Sequence, residues 1–381
     1  MREVQYVTKE GFNDRFVRTG CVEKRMNESK LAHIVEPFRD MMENYSMLVQ
    51  RYKEQHGIKV AGIVCDGVPA EILASFQVAP LRIPGFRNKS GCGCGGGRAN
   101  LEEYAGLYDY VITPAGCCTE PYRDSGAGVR CIEYSVAPGY GENAAEALHN
   151  ETDRLLRTMG VAEIRQLDTD MLRDTVEVYN TMRRLVRGIS MVRAQKPDTL
   201  SQEDLRVIFE AAAAFPPAML TDPLAMVLDA LNGAAGGGMR ECPALMVSGG
   251  LPCDWSVLDE IEDAGCVVTE DDFCNGRRQF DLSHNASSEY LYYEILDACT
   301  YRPLCPSVRP AEERFELLYK MLKNYGIETV VFLSDTMCPK ARQQMEYLRV
   351  RLMRTGIDPV ILRSADAGTV IRDYLAAASG R

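Results

Sequence analysis

Apolar and polar positions in this chain follow two rhythms that alternate along it. Between residues 22 and 56, Ile34, Phe38, Met41, Met42 and Tyr45 recur at three and four residues, which predicts amphipathic helix. Lys59-Val-Ala-Gly-Ile-Val-Cys65 is instead a continuous apolar run of strand length. Asp66-Gly67 then reads as a turn, and Pro69-Ala-Glu-Ile-Leu-Ala-Ser-Phe76 as a helix opening at proline. Leu81-Arg-Ile-Pro84 reads as a second strand, Tyr108-Asp-Tyr-Val-Ile-Thr113 as a third and Cys131-Ile-Glu-Tyr-Ser-Val136 as a fourth, with a short helix near 100–106. Strands separated by helices at this spacing predict a parallel sheet covered on both faces.

From Asn143 to about Leu231 the pattern is almost wholly helical, with a long stripe at Leu172, Val176, Tyr179, Met182 and Leu185. Breaks fall at Pro197-Asp198, Pro216-Pro217 and Asp222-Pro223, and Asn232-Gly-Ala-Ala-Gly-Gly-Gly238 is a flexible interruption. Pro243-Ala-Leu-Met-Val-Ser-Gly-Gly250 opens a second alternating block. Its predicted helices cover 254–264, 286–298, 310–324, 340–355 and 367–378, and its further strands 266–269, 328–334 and 359–362. The expected fold class is α/β, with two doubly wound parallel-sheet domains at 57–142 and 239–381. A helical extension at 1–56 precedes them and a helical connector at 143–238 joins them.

Composition narrows the function. With 46% apolar residues the 381-residue chain has ample core for more than one domain. The formal charge is -11, and Lys and Arg are scattered, so no basic face is expected for a nucleic acid. The N-terminus shows no basic stretch followed by an apolar segment, and no apolar run is long enough to span a bilayer. A cytoplasmic protein without membrane contact is expected.

Fourteen cysteines are the chemical signal. Cys65, Cys131 and Cys266 lie in apolar stretches, where a thiol packs as a small hydrophobe. Others sit at loop punctuation: Cys92-Gly-Cys94-Gly-Gly-Gly97, Cys117-Cys118, and Cys338 in Asp335-Thr-Met-Cys338-Pro339. In a reducing compartment such thiols point to a metal centre, not to disulfides. Zinc favours paired Cys-x2-Cys knuckles, and a bacterial ferredoxin repeats that spacing; neither pattern is present. An iron-sulfur cluster held by widely separated loops of both sheet domains remains. Cys117 and Cys338 each follow an apolar strand, at the carboxyl edge where parallel sheets bind ligands. Three thiolates on a cubane would leave one iron open to substrate.

The residues that carry a family resemblance are Gly67-Val-Pro-Ala-Glu71-Ile-Leu73 with Pro80-Leu-Arg82; Tyr108-Asp-Tyr-Val-Ile112 with Cys117; Asp271-Asp-Phe-Cys274-Asn-Gly276-Arg277; and Cys338 with Gly356-Ile-Asp-Pro359. In order and spacing, over about 59–379, the chain resembles the cluster-bearing D-component subunits of the 2-hydroxyacyl-CoA dehydratase and benzoyl-CoA reductase superfamily. The resemblance implies two Rossmann-like domains and a 4Fe-4S cluster. Its ligands would be Cys94 or Cys92, then Cys117, then Cys338, with Cys118 and Cys274 as further candidates. Cys118 stands where that family usually has an acidic residue, and Cys92-Gly-Cys94 lies nearer Cys117 than its pattern has it; either departure leaves altered ligation or a different cluster open.

The chemistry so implied is a radical dehydration. Removing water from a 2-hydroxyacyl-CoA requires loss of an unactivated β-hydrogen, beyond any side-chain base at neutral pH. One electron delivered to the thioester carbonyl gives a ketyl that expels the hydroxyl and acidifies the β-position. The resemblance also implies a separate ATP-dependent iron-sulfur activator and a homologous second subunit or a homodimer. The chain has no Gly-x4-Gly-Lys-Ser/Thr loop, which puts ATP hydrolysis elsewhere. Two alternatives stand. One is a reductase of the same superfamily, of benzoyl-CoA reductase type or carrying a double-cubane 8Fe-9S cluster, for which Cys92, Cys94, Cys117, Cys118, Cys274, Cys299, Cys305 and Cys338 could furnish thiolates. The other is a non-catalytic iron-sulfur scaffold.

Other positions read two ways. Gly91 to Gly97 either cradles a CoA pyrophosphate or wraps the cluster, and Cys274 either faces the site or follows from an Asn275-Gly276 turn. Cys299 and Cys305 read as extra thiolates or as ordinary half-buried cysteines. His33, His56, His149 and His284 lack metal-pair spacing and are expected on helix surfaces or at caps; His284 alone is near a candidate loop.

Overall fold

A computed structural model describes residues 31–65, 67–84, 103–115, 128–135, 143–234, 243–249, 255–301, 306, 309–334 and 339–379. The N-terminal helical pattern resolves into α1 (Glu36–Glu43) and α2 (Tyr45–His56), preceded by a short 3-10 turn at Ala32–Ile34. The predicted single helix breaks at Asn44, whose backbone and side-chain nitrogens both bond the Asp40 carbonyl. A side chain that competes for a helical carbonyl in this way ends the run.

The first sheet contains β1 (Lys59–Ile63), β2 (Val78–Arg82), β3 (Tyr110–Pro114) and β4 (Cys131–Tyr134), in the order β2-β1-β3-β4 and all parallel. Helix α3 (Ala70–Ser75) links β1 to β2. The second sheet repeats the plan. β5 (Ala244–Gly249), β6 (Val267–Asp271), β7 (Thr329–Leu333) and β8 (Asp358–Leu362) run parallel in the order β6-β5-β7-β8. Two four-stranded, all-parallel sheets carrying helices agree with the expected pair of Rossmann-like units.

Their strands are continuous apolar runs because both faces are buried. In the second sheet Leu245, Val247, Val331 and Leu333 face α8 (Ser256–Asp263) and α12 (Ala367–Ser379). Met246, Val330 and Phe332 turn the other way, against α10 (Ala311–Tyr325) and α11 (Pro339–Met353). Alternate residues of one strand thus fill two cores.

Between the sheets run α4 (Ala144–Met159), α5 (Thr169–Gln195), α6 (Gln202–Ala214) and α7 (Thr221–Gly233). The Asp168 carboxylate caps α5 by accepting from the Asp170 and Met171 amides at 2.9 and 3.1 Å. Its predicted stripe is buried at Leu172, Val176, Tyr179 and Met182, and continues through Val186 and Ile189. Helices α1, α2 and α5 to α7 cover one face of the first sheet, where Phe38, Tyr45, Val60, Leu81, Val186 and Phe209 share a core. Helix α4 covers the opposite face, together with α9 (Leu291–Tyr301), which crosses back from the second block.

Helix α9 starts five residues later than the expected 286. Upstream of it, Asn285 Oδ1 accepts from the Ser287 amide at 3.2 Å and Ser288 Oγ from the Tyr290 amide at 3.1 Å. These local bonds hold the segment in turns until Leu291. The fully buried Arg193–Glu262 pair fastens α5 to the second unit, and Glu262 Oε1 accepts from the Val268 amide at 3.0 Å.

Candidate functional site

In each sheet the chain leaves its first strand toward one side and later returns on the other. The switch points lie between β1 and β3 and between β5 and β7, where parallel sheets open a crevice at their carboxyl ends. β3 ends at Pro114, shortly before Cys117, and β7 at Leu333, shortly before Cys338. Cys65 follows β1 directly, the segment bearing Cys92 and Cys94 follows β2, and Cys274 follows β6. Cys92, Cys94, Cys117, Cys118, Cys305 and Cys338 themselves lie outside the described residues.

The two carboxyl edges meet at Arg82. This last residue of β2 is 5% exposed. Its Nη1 donates to the Cys274 carbonyl at 2.5 Å, and its Nη2 lies 3.4 Å from the Val64 carbonyl and 3.3 Å from Cys274 Sγ. One guanidinium thus touches the exits of β1 and β2 in the first sheet and of β6 in the second.

Cys274 is held in a loop built from buried charge. Asp271 Oδ1 accepts from the Phe273 amide at 3.0 Å, and Oδ2 from the Arg277 amide at 3.1 Å. Gly276 permits this: a Cβ there would stand 2.0 Å from Asp271 Oδ1. Burial pushes the Asp271 carboxyl up to about 7, against the two amide bonds that pull it down. Asp272 Oδ2 accepts from Ser248 Oγ at 3.0 Å and Arg314 Nη2 at 2.9 Å, which ties the loop to β5 and α10. Arg277 pairs with Glu270 at 2.6 Å and donates to the Thr269 carbonyl at 3.0 Å. The expected turn is present one residue earlier: the Gly276 amide donates to the Phe273 carbonyl at 3.2 Å, with Cys274 and Asn275 between them.

A second buried cluster stands beside it. Glu71, in the first turn of α3, pairs with Arg183 of α5, and His284 Nε2 lies 3.6 Å from Glu71 Oε1. Asn180 grips the His284 backbone from both sides, accepting from its amide at 3.1 Å and donating to its carbonyl at 2.7 Å. Burial would raise the Glu71 carboxyl, but Arg183 and then His284 outweigh it and hold it down to about 2. Glu71, Arg183, Arg82 and Gln279 line the polar side of a cavity of about 70 Å³. Met182, Phe215 and Phe280 are among its apolar walls.

His284 is therefore buried in a charge cluster, a departure from the expected surface or capping role. Burying Arg183 and Glu71 together created the demand, and nothing adjacent to His284 in the chain announces it. His33 and His56 are exposed, and His149 Nδ1 lies 2.8 Å from Tyr292 Oη. Cys266 packs in the second core as expected, and burial raises the half-buried Cys131 thiol. Cys299 is buried against the first core and borders the cavity. Cys65 is buried as expected, two residues past the end of β1. Glu71 and Arg82 entered the sequence reading only within the motif that carries the resemblance, with no site role, and Arg183 did not enter it; the signal for Arg82 is a charged residue closing an apolar run. Among the described residues no three His, Cys, Asp or Glu side chains converge on a metal position, and no helix is long and apolar enough to cross a membrane.

Comparison with known proteins gives two findings. A family model described as 2-hydroxyglutaryl-CoA dehydratase, D-component, matches residues 123–370. One of the subunits of benzoyl-CoA reductase from Thauera aromatica is 22% identical over 221 residues, covering 53% of this chain and 53% of that protein. The chain thus spans about half the length of this curated relative.

Proposed function

This chain belongs to the 2-hydroxyglutaryl-CoA dehydratase D-component family, and from that premise we propose that it is the iron-sulfur subunit of an enzyme that eliminates water from a 2-hydroxyacyl-CoA. The observation that supports the reading is the Arg82 junction, where the carboxyl ends of β1 and β2 in the first sheet touch that of β6 in the second. Segments bearing Cys92 and Cys94, Cys117, and Cys338 all leave from these edges. Soft thiolates from separate loops suit iron and sulfur. Cys94 or Cys92, Cys117 and Cys338 would hold a 4Fe-4S cluster, with Cys118, Cys274 and Cys65 as neighbouring thiols. When bound, such a cluster supplies a low-potential electron and a Lewis-acidic iron.

The protein's own residues would bind and shield the substrate. The cavity beside the crevice offers an apolar wall at Met182, Phe215 and Phe280 for an acyl chain and polar groups at Arg82, Arg183 and Gln279 for its oxygens. Buried loops around Cys274 would exclude water from the reacting thioester. The units 57–142 and 239–381, with helices at 1–56 and 143–238 around them, would form the body of the subunit. A homologous second subunit or a second copy, and a separate ATP-dependent activator, would complete the enzyme in the cytoplasm.

A second reading rests on the benzoyl-CoA reductase relative: a superfamily reductase, with one cubane or a double-cubane 8Fe-9S cluster. Iron and acid-labile sulfide per chain, measured on protein purified without oxygen, separate the cluster types. About four irons fit one cubane and about eight a double cubane, and assay of dehydration against reduction then separates the two single-cubane enzymes. Cys117→Ala and Cys338→Ala should each lose the cluster and activity while retaining the fold. A chain that takes up no iron on reconstitution refutes both readings, and unchanged iron in Cys117→Ala leaves a scaffold role.

A further inference from the structure

We infer that the cavity at the carboxyl ends of β1 and β2 is a size filter for the acyl group, admitting a short alkyl tail of about two carbons beyond the carbinol and rejecting an aromatic ring or a long carboxylate chain. The inference rests on the function proposed above and narrows the class of 2-hydroxyacyl-CoA that this chain takes.

The cavity measures about 70 Å³. At about 30 Å³ for each water-sized group it holds about two, whereas a space of about 150 Å³ takes one benzene. It lies at the carboxyl edge of the first sheet, where Ile63 closes β1, Arg82 closes β2, and both line it. Arg82 and Gln279 face it with nitrogen donors suited to thioester or hydroxyl oxygens, and Met182, Phe215 and Phe280 give it apolar surface suited to a tail. These walls are seated in the core. Phe215 and Phe280 are each 2% exposed; Phe215 meets Tyr45 edge to face at 5.2 Å, and Phe280 lies 5.6 Å from Phe209. Rings packed in this way yield little, so a guest larger than the space meets overpacking. A 2-hydroxyglutaryl tail is longer than the space, and its carboxylate would have to compete for Arg183 with Glu71, which already holds that guanidinium in a buried pair. The inference thus departs from the substrate in the matched family's own description.

The test uses the full chain, purified and reconstituted without oxygen, and titration calorimetry with coenzyme A, 2-hydroxybutanoyl-CoA, 2-hydroxy-3-phenylpropanoyl-CoA and 2-hydroxyglutaryl-CoA, a readout that needs neither activator nor turnover. Wild type should bind the butanoyl thioester about tenfold or more tightly than each of the other three. Met182→Ala and Phe280→Ala, each checked for folding by circular dichroism, open the apolar wall and should narrow the gap to the phenylpropanoyl thioester by about tenfold. A smaller margin in wild type, or a gap unmoved in every folded variant, overturns the inference; if neither variant folds, the wild-type order decides. Size-ordered binding by a chain that takes up no iron leaves the inference standing and refutes the proposed function, whereas iron uptake without size order overturns the inference alone.

Discussion

Replacing Arg183 with methionine would leave the Glu71 carboxylate buried with His284 Nε2 3.6 Å away and no guanidinium beside it. Both carboxylate and guanidinium are within a few per cent of full burial, so solvent cannot take over the lost role. Removing one partner of such a pair costs about 3–5 kcal/mol. The Glu71 carboxyl points the same way: burial alone would raise it, and Arg183 first, then His284, hold it down to about 2. Because the folded pKa is depressed, this stabilisation is complete above about pH 4.5 and is lost as pH falls toward 2. In Arg183→Met, burial dominates and Glu71 takes up a proton on folding. The deficit against wild type should therefore be largest at neutral pH and narrow on acidification. Guanidinium chloride unfolding followed by circular dichroism at pH 7, 5.5 and 4.5 measures it, with coincident probes to establish two-state behaviour. A deficit below about 1 kcal/mol at pH 7, or one that grows in acid, would refute the reasoning. The double variant Arg183→Met/Glu71→Gln should recover much of the loss by removing the stranded charge.

Gly276→Ala should destabilise by about 3 kcal/mol or more, because its Cβ would displace the Asp271 carboxylate from the Phe273 and Arg277 amides; the midpoint of denaturant unfolding reads this, and a wild-type midpoint would contradict it. Asp259 accepts from the Gln202 amide at 2.8 Å, and burial, with Glu262 nearby, pushes its carboxyl up to about 6. A raised carboxyl makes stability fall as pH rises from about 4 to 6 and level off above. Asp259→Asn should abolish that slope and gain up to about 2 kcal/mol at pH 7, visible as a pH-dependent difference in melting temperature. Tyr292→Phe removes the bond to His149 at 2.8 Å between α9 and α4 and should cost about 1 kcal/mol; a larger loss of cooperativity would show that α9 docks through this contact.

Much of the fold was legible because strand and helix periods differ and both sheets are covered on two faces. The runs at β1, β5 and β7 are apolar throughout, so their positions emerged within a residue or two. The break at Asn44 and the late start at Leu291 were not legible, since each depends on which backbone group a polar side chain happens to bond. For the site, Asp271-Asp-Phe-Cys274-Asn-Gly276-Arg277 and Pro80-Leu-Arg82 were recognisable as motifs, whereas the contact between them was not, and Arg183 looked like a charge within an ordinary helix. Cys65, read as a buried thiol from its apolar neighbours, is buried.

The sequence by itself determined the alternating architecture and the two sheet units, because these follow from local periodicity and turn chemistry. Tertiary structure decided strand order, and with it the switch points at β1/β3 and β5/β7. It also decided that Arg82 faces Cys274 across 192 positions of chain and that Glu71 meets Arg183 and His284. Those contacts join residues far apart in the chain, and a buried charge selects its partner only after packing has removed water from both.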